Sequence, residues 1–168
     1  MEPTADKGAQ VVGLTHLDDR DNATMVDVSG RDVTVRTAVA SGLVRTTDQV
    51  VAAISAGSVP KGDVAAVARI AGIMAAKRTP ELIPLCHPIA VHNVEVSVLT
   101  CPAGVVLRAT VRTADRTGVE MEALTAVSVA GLAVIDMIKA LDPAASLTDV
   151  RVESKNGGRS GAWTRTDQ

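Results

Sequence analysis

Between Ala123 and Ile135 the chain carries no charged side chain, while charges stand on both flanks: Glu120 and Glu122 before the run, Asp136 and Lys139 after it. Thr117 and Glu120 have the Thr-x-x-Glu spacing of a capping box, in which each side chain satisfies an orphan backbone N–H, so a helix is predicted to start here. Ala126, Ala130, Gly131 and Ala133 are small enough to let a second element approach the backbone, and the helix is expected to be buried on most sides. At ~1.5 Å rise per residue, Glu122 and Asp136 stand about 21 Å apart on roughly the same face. One small ligand cannot touch both within one subunit. If both ends serve one site, a second copy of the chain has to bring them together.

A chain of 168 residues that is 46% hydrophobic suits one core and, by length, one domain. With no Phe, no Tyr and one Trp, that core is built from Val, Ala, Leu and Ile. Small side chains bury little apolar area each, which favours a homo-oligomer. A net charge of -2 and the lack of aromatic stacking platforms argue against a nucleic-acid partner. Cys86 and Cys101 do not make a disulfide framework, which fits a reducing compartment. Met1 to Gln10 lacks the apolar core of a secretory signal, and the uncharged central run falls short of the ~20 residues of a membrane span. The expectation is a cytoplasmic protein with no membrane partner.

Taken in order, residues 1–13 and 159–168 read as loose tails around a single domain at 14–158. Val33, Val35, Thr37 and Val39 alternate with Thr34, Arg36 and Ala38, the period of a half-buried strand. Thr46 and Gln49 repeat the capping-box spacing and predict a helix through Val50, Val51 and Ile54, stopped by Gly57. Asp63 is a predicted N-cap for a helix with Val67, Ile70, Ala71 and Met74 at helical spacing, ended by Thr79-Pro80. Pro84 and Pro88 bracket Leu85-Cys86-His87 and stiffen that loop. Val94, Val96 and Val98, then Val105, Leu107, Ala109 and Val111, predict two strands joined by the turn Cys101-Pro102-Ala103-Gly104. A last strand is expected around Val150 and Val152. The order strand, helix, helix, strand, strand, helix, strand is that of a ferredoxin-like α+β fold with an extra helix, an antiparallel sheet covered on one face.

Several side chains could carry chemistry. Lys61 precedes a predicted helix start, where the dipole disfavours a cation, so it is either a solvated loop lysine or an anion ligand. His87, between prolines, is either a general acid or base or a hydrogen-bonded structural histidine. Cys86, His87 and His92 lack a standard zinc spacing, and no metal site is expected. Asp136 and Lys139, at i and i+3, are either a surface ion pair or a functional carboxylate–lysine pair. Glu120 and Glu122 complement the helix dipole, although capping accounts for Glu120 better than for Glu122. The basic, glycine-rich segment from Ser154 to Gly161 can offer N–H groups and two cations, Lys155 and Arg159, to an anion. Together these groups suit a phosphorylated substrate and acid–base chemistry without a bound cofactor.

Longer motifs carry a resemblance. Met25-Val26-Asp27-Val28-Ser29, Lys61-Gly62-Asp63-Val64, Ala68 to Ile73, Ala75 to Thr79, Leu82-Ile83-Pro84-Leu85-Cys86-His87-Pro88, Thr117 to Thr125 and Asp136-Met137 together resemble the cyclic pyranopterin monophosphate synthase family, the C protein of molybdenum-cofactor biosynthesis. The resemblance covers the chain from about Leu14 to Gly161. It implies a lyase that rearranges 3′,8-cyclo-7,8-dihydroguanosine 5′-triphosphate to cyclic pyranopterin monophosphate with release of diphosphate, the substrate being supplied from GTP by a radical enzyme. It implies a single catalytic domain assembled as a homohexamer, a trimer of dimers, with sites at subunit interfaces. Matched position by position, Asp136 and Lys61 fall on catalytic positions, and His87 and Lys139 are assigned with them. Leu85, Cys86, His87, Met121 and Glu122 fall on substrate-binding segments, joined by Glu120 and Lys155. No cofactor is required on this reading, and a divalent ion such as Mg2+ on the triphosphate stays open. A non-catalytic nucleotide sensor on the same fold would need the lysines but neither a buried Asp136 nor a fixed His87.

Overall fold

The computed structural model describes residues 22–166. The expected N-terminal tail, residues 1–13, lies outside the described residues. In chain order the elements are β1 (Thr34–Arg45), α1 (Asp48–Ser55), α2 (Val64–Ala76), α3 (Thr79–Leu82), β2 (Asn93–Cys101), β3 (Gly104–Asp115), α4 (Glu120–Ile138), β4 (Ser146–Asn156) and β5 (Trp163–Thr164). The strands form one sheet in the order β2-β3-β1-β4-β5, every neighbouring pair antiparallel. A hairpin joins β2 to β3, while helices lie on the paths from β1 to β2 and from β3 to β4, so two strand–helix–strand units interleave. The fold is α+β, with α4 lying across β1, β3 and β4 and α2 packed on α4 and β2.

The sheet phase on β3 follows the sequence: Val105, Leu107, Ala109 and Val111 are all fully buried, as are Val96 and Val98 of β2 to within a few per cent. On β1 the expected phase is reversed. Val35 is 60% exposed, and the face turned to the helices is Ala38, Ala40, Gly42 and Val44. Space explains the reversal, because a Cβ at Gly42 would lie 2.7 Å from the Val127 side chain of α4. A strand that meets a helix this closely turns its smallest side chains inward, whatever their hydrophobicity rank. The uncovered face is partly polar, with the Ser41 hydroxyl donating to Glu153 and Arg151 Nε donating to the same carboxylate at 2.8 Å.

Small residues also set the contact between α2 and α4. A Cβ at Gly72 would stand 2.9 Å from the Ala126 carbonyl oxygen and 3.3 Å from the Ala130 Cβ, so the two helices touch almost backbone to backbone. Gly131, one residue round α4, faces Leu147 and Leu107 in the same way. Gly72→Ala should therefore force the helices apart and cost about 1–3 kcal/mol, read as a lowered denaturation midpoint at fixed protein concentration. An unchanged midpoint would mean that the interface yields without loss. Although α4, at 19 residues, is long and apolar enough to cross a membrane, ten of its residues are buried, and Ala123, Ala126, Val127, Ala130 and Val134 are fully so.

The caps depart from expectation at two of three helices. Asp63 Oδ1 accepts from the Ala66 N–H at 2.9 Å, as predicted. At α1 the cap is Thr47, whose hydroxyl accepts from the Val50 N–H at 3.4 Å, because Thr46 instead donates to Asp142 at 2.7 Å. At α4 the Thr117–Glu120 box does not form: Val119 occupies the N-cap with no side-chain cap bond. The Glu120 carboxylate is drawn to Lys155 Nζ, 3.1 Å away on β4. A charged partner across the fold outcompetes a local neutral donor. The short helix that begins at Thr79-Pro80 is an addition, with Pro80 in the first turn of α3, where a missing N–H costs nothing.

Candidate active site

Two groups of polar side chains sit at opposite ends of α4. At its C-terminal end Asp136 holds two ammonium groups: Oδ2 accepts from Lys61 Nζ at 2.9 Å and Oδ1 pairs with Lys139 Nζ at 2.6 Å. Lys61, carried on the loop between α1 and α2, also donates to the Asp136 carbonyl oxygen at 2.6 Å. Its placement before α2 is thereby accounted for without a bound anion, since it caps the carbonyl end of α4, where the dipole favours a cation. Asp136 is not buried, its side chain being 58% exposed. Hydrogen bonds from Lys139 and Lys61 bring its carboxyl down to about 2. Near neutral pH it is therefore a carboxylate and a weak base, suited to holding two lysines side by side at an open surface.

At the N-terminal end of α4 a pocket of about 330 Å3 is lined by Leu85, Cys86 and His87 from one side and Glu120, Met121 and Glu122 from the other. Glu122 is only 3% exposed, and burial, with a smaller push from the Glu120 charge, raises its carboxyl to about 7. It can thus exist in either form near neutral pH, the property of a group that hands protons on. Burial and the Glu122 charge push the Cys86 thiol up, which keeps it a thiol and argues against a nucleophilic role. His87 Nε2 lies 2.7 Å from the Val26 carbonyl oxygen, which can only accept. Nε2 therefore carries the hydrogen, and proton exchange falls to Nδ1.

Lys155 reaches the same end of α4 through Glu120. Beside it a second space of about 190 Å3 is walled by Arg31, Arg36 and Lys155. The two arginines are not among the candidates read from the sequence: Arg36 falls on the polar half of a strand alternation, and Arg31 lies outside the motifs that carry the resemblance. Their nearness to the Met25–Ser29 motif was the available signal. Arg159 is exposed.

Every residue assigned from the sequence thus belongs to one of two groups, Lys61, Asp136 and Lys139 or Leu85, Cys86, His87, Glu120, Met121, Glu122 and Lys155, and one chain does not bring the groups together. Glu122 and Asp136 are 14 residues apart on one helix, about 21 Å along its axis. Among the described residues no three His, Cys, Asp or Glu side chains gather as a metal site.

The MoaC family model matches residues 25–158, a span that holds both groups. The chain belongs to the MoaC family. It is 61% identical over 153 residues to the cyclic pyranopterin monophosphate synthase of Streptomyces coelicolor, covering 91% of this chain and 90% of that protein. To cyclic pyranopterin monophosphate synthase 2 of Mycobacterium tuberculosis it is 59% identical over 152 residues, covering 90% and 91%. The Rhodospirillum rubrum synthase is 56% identical over 154 residues, covering 90% and 93%. MoaC membership bears out the resemblance carried by the sequence motifs.

Proposed function

We propose that this MoaC chain is a cyclic pyranopterin monophosphate synthase, a lyase of molybdenum-cofactor biosynthesis that converts 3′,8-cyclo-7,8-dihydroguanosine 5′-triphosphate to cyclic pyranopterin monophosphate and diphosphate. MoaC membership and the likeness to named synthases support this reading, and the geometry adds one supporting observation: the two ends of α4 offer complementary groups. Among the described residues, the pocket at the N-terminal end is lined by a protonatable Glu122 and an imidazole. The triad at the C-terminal end sets two lysines around Asp136, all three side chains exposed. A second copy that sets its triad against this pocket completes the site, and the proposed assembly is a homohexamer, a trimer of dimers, in the cytoplasm.

In this scheme a substrate oxygen displaces diphosphate at the phosphorus nearest the sugar. Lys61 and Lys139 neutralise the phosphate oxygens and protonate the departing group, and Asp136 keeps the two ammonium groups together. His87 and Glu122 move protons on the ring, while Leu85, Cys86, Met121, Glu120 and Lys155 hold the substrate. The chemistry draws on no resident cofactor and on no nucleic-acid or membrane partner. Purified protein incubated with the cyclised GTP intermediate is expected to yield cyclic pyranopterin monophosphate and diphosphate. Adding EDTA to the same assay reads out any dependence on Mg2+. Tight binding without turnover would overturn the proposal in favour of a nucleotide sensor.

A further inference from the structure

We propose that Asp142, a residue with no part in the scheme above, is a positioning residue that holds Lys61 in the triad by fastening the start of α1 to the end of α4. Among the described residues Glu122 and Asp142 are the two buried carboxylates, 3% and 7% exposed, and they stand at opposite ends of α4. Glu122 lines the pocket, whereas Asp142 is turned into the joint between two helices.

Three donors meet the Asp142 carboxylate. Oδ2 accepts from the Thr46 hydroxyl at 2.7 Å and Oδ1 from the Ala144 N–H at 3.0 Å, while the Thr47 N–H donates to it as well. The N–H of Asp142 itself donates to the Ile138 carbonyl oxygen at 3.0 Å, which joins residue 142 to the last turn of α4. Thr46 and Thr47 form the corner between β1 and α1, so one side chain ties that corner to the end of α4. The Thr46 hydroxyl, helped by the two N–H groups, holds the carboxyl below its usual range in spite of burial, and near neutral pH it is charged. A buried carboxylate at the positive end of a helix resists losing such donors, because each loss leaves charge unsolvated.

Lys61 needs this joint and Lys139 does not. Lys139 shares α4 with Asp136 and stays beside it at i+3. Lys61 arrives from a segment 75 residues away, on a loop that contains Gly57 and Gly62, both at positive φ. The far end of that loop is secured by the Asp63 cap and buried Val64 of α2. The near end hangs on α1, whose eight residues bury one side chain fully, Val50. A closed ring results: from Asp136 down the last turn of α4 to Asp142, across to Thr46, along α1 and the loop to Lys61, and back to Asp136 at 2.9 Å. Opening the ring at Asp142 leaves Lys61, 43% exposed, to be held chiefly by its bonds to Asp136 at an open surface, and an exposed ion pair alone holds weakly. Only the effect on turnover rests on the proposed function.

The test is acetylation of the full-length assembled protein by acetic anhydride, read at each lysine by mass spectrometry, with exposed Lys77 as reference. Asp142→Ala and Thr46→Val should each raise the rate at Lys61 several-fold relative to Lys77, since an ammonium released from a carboxylate gives up its proton more readily. Thr46→Ser keeps the hydroxyl and should match wild type. In Asp136→Ala protein, Asp142→Ala should add nothing at Lys61, because both changes act through one ion pair. Turnover in Asp142→Ala and Thr46→Val should fall about tenfold or more, as it does when a catalytic group is displaced. A wild-type rate at Lys61 in both variants, equal acceleration at Lys77, Thr46→Ser behaving as Thr46→Val, or a further gain in the double variant would each overturn the proposal. If Asp142→Ala does not fold, the two Thr46 variants decide the matter. Wild-type protein without turnover would sink the enzyme assignment, while faster labelling of Lys61 in Thr46→Val would still establish the joint.

Discussion

Asp136→Ala protein mixed with Glu122→Gln protein, each expected to be inactive alone, is expected to recover about a quarter of wild-type turnover after dissociation and reassembly, since random pairing completes one site in four. The ~21 Å between the two residues along α4 bars one chain from offering both to one substrate. Each variant alone, and Lys61→Ala likewise, should lose roughly three orders of magnitude in turnover while retaining its assembly by sedimentation. No recovery in a mixture shown by mass to contain both chains would mean that the two ends of α4 serve different sites. Full activity of Asp136→Ala or Lys61→Ala by itself would remove the triad from the chemistry.

Glu122→Gln should also make the protein more stable above neutral pH. Burial raises the Glu122 carboxyl from 4.5 to about 7, so the folded state holds a proton that the unfolded chain releases earlier. That preference contributes fully below the unfolded value near 4.5 and is lost as pH rises through 7, where the folded protein must carry a buried carboxylate. Gln cannot ionise. Its advantage over wild type should therefore be near zero at pH 4 and grow to as much as about 3 kcal/mol at pH 8. Denaturant midpoints at equal protomer concentration check it, and a stability difference independent of pH would show that ionisation at residue 122 is not the cause. A variant that is both stabilised and inactive is the pattern expected where burial of an ionisable group serves function rather than folding.

Much of the architecture was legible from local pattern, and the errors have identifiable causes. β2 and β3 could be read because their large aliphatic residues fall on one face, and the pleat then leaves no choice of phase. β1 could not, because its inward face is Ala38, Ala40 and Gly42, chosen for size against Val127. The cap of α4 was misread because Glu120 is claimed by Lys155, 35 residues later in the chain. Lys61 was suspected for a local electrostatic reason, its place before a helix, whereas its partners lie 75 residues away at the end of another helix. Arg36 reads locally as the polar half of a strand alternation, and only the fold sets Gly158 against it.

What the sequence by itself determined is the α+β order of elements and the separation of Glu122 from Asp136, because strand alternation and helix rise are properties of the backbone that need no tertiary contact. Only the tertiary structure decided which cations meet which carboxylates, how deeply Glu122 is buried, and which face of β1 turns inward. Those depend on how closely the elements pack, and here that distance is set by Gly42, Gly72, Gly131 and Gly158, whose contribution is the absence of a side chain. An absence leaves no hydrophobic period to read.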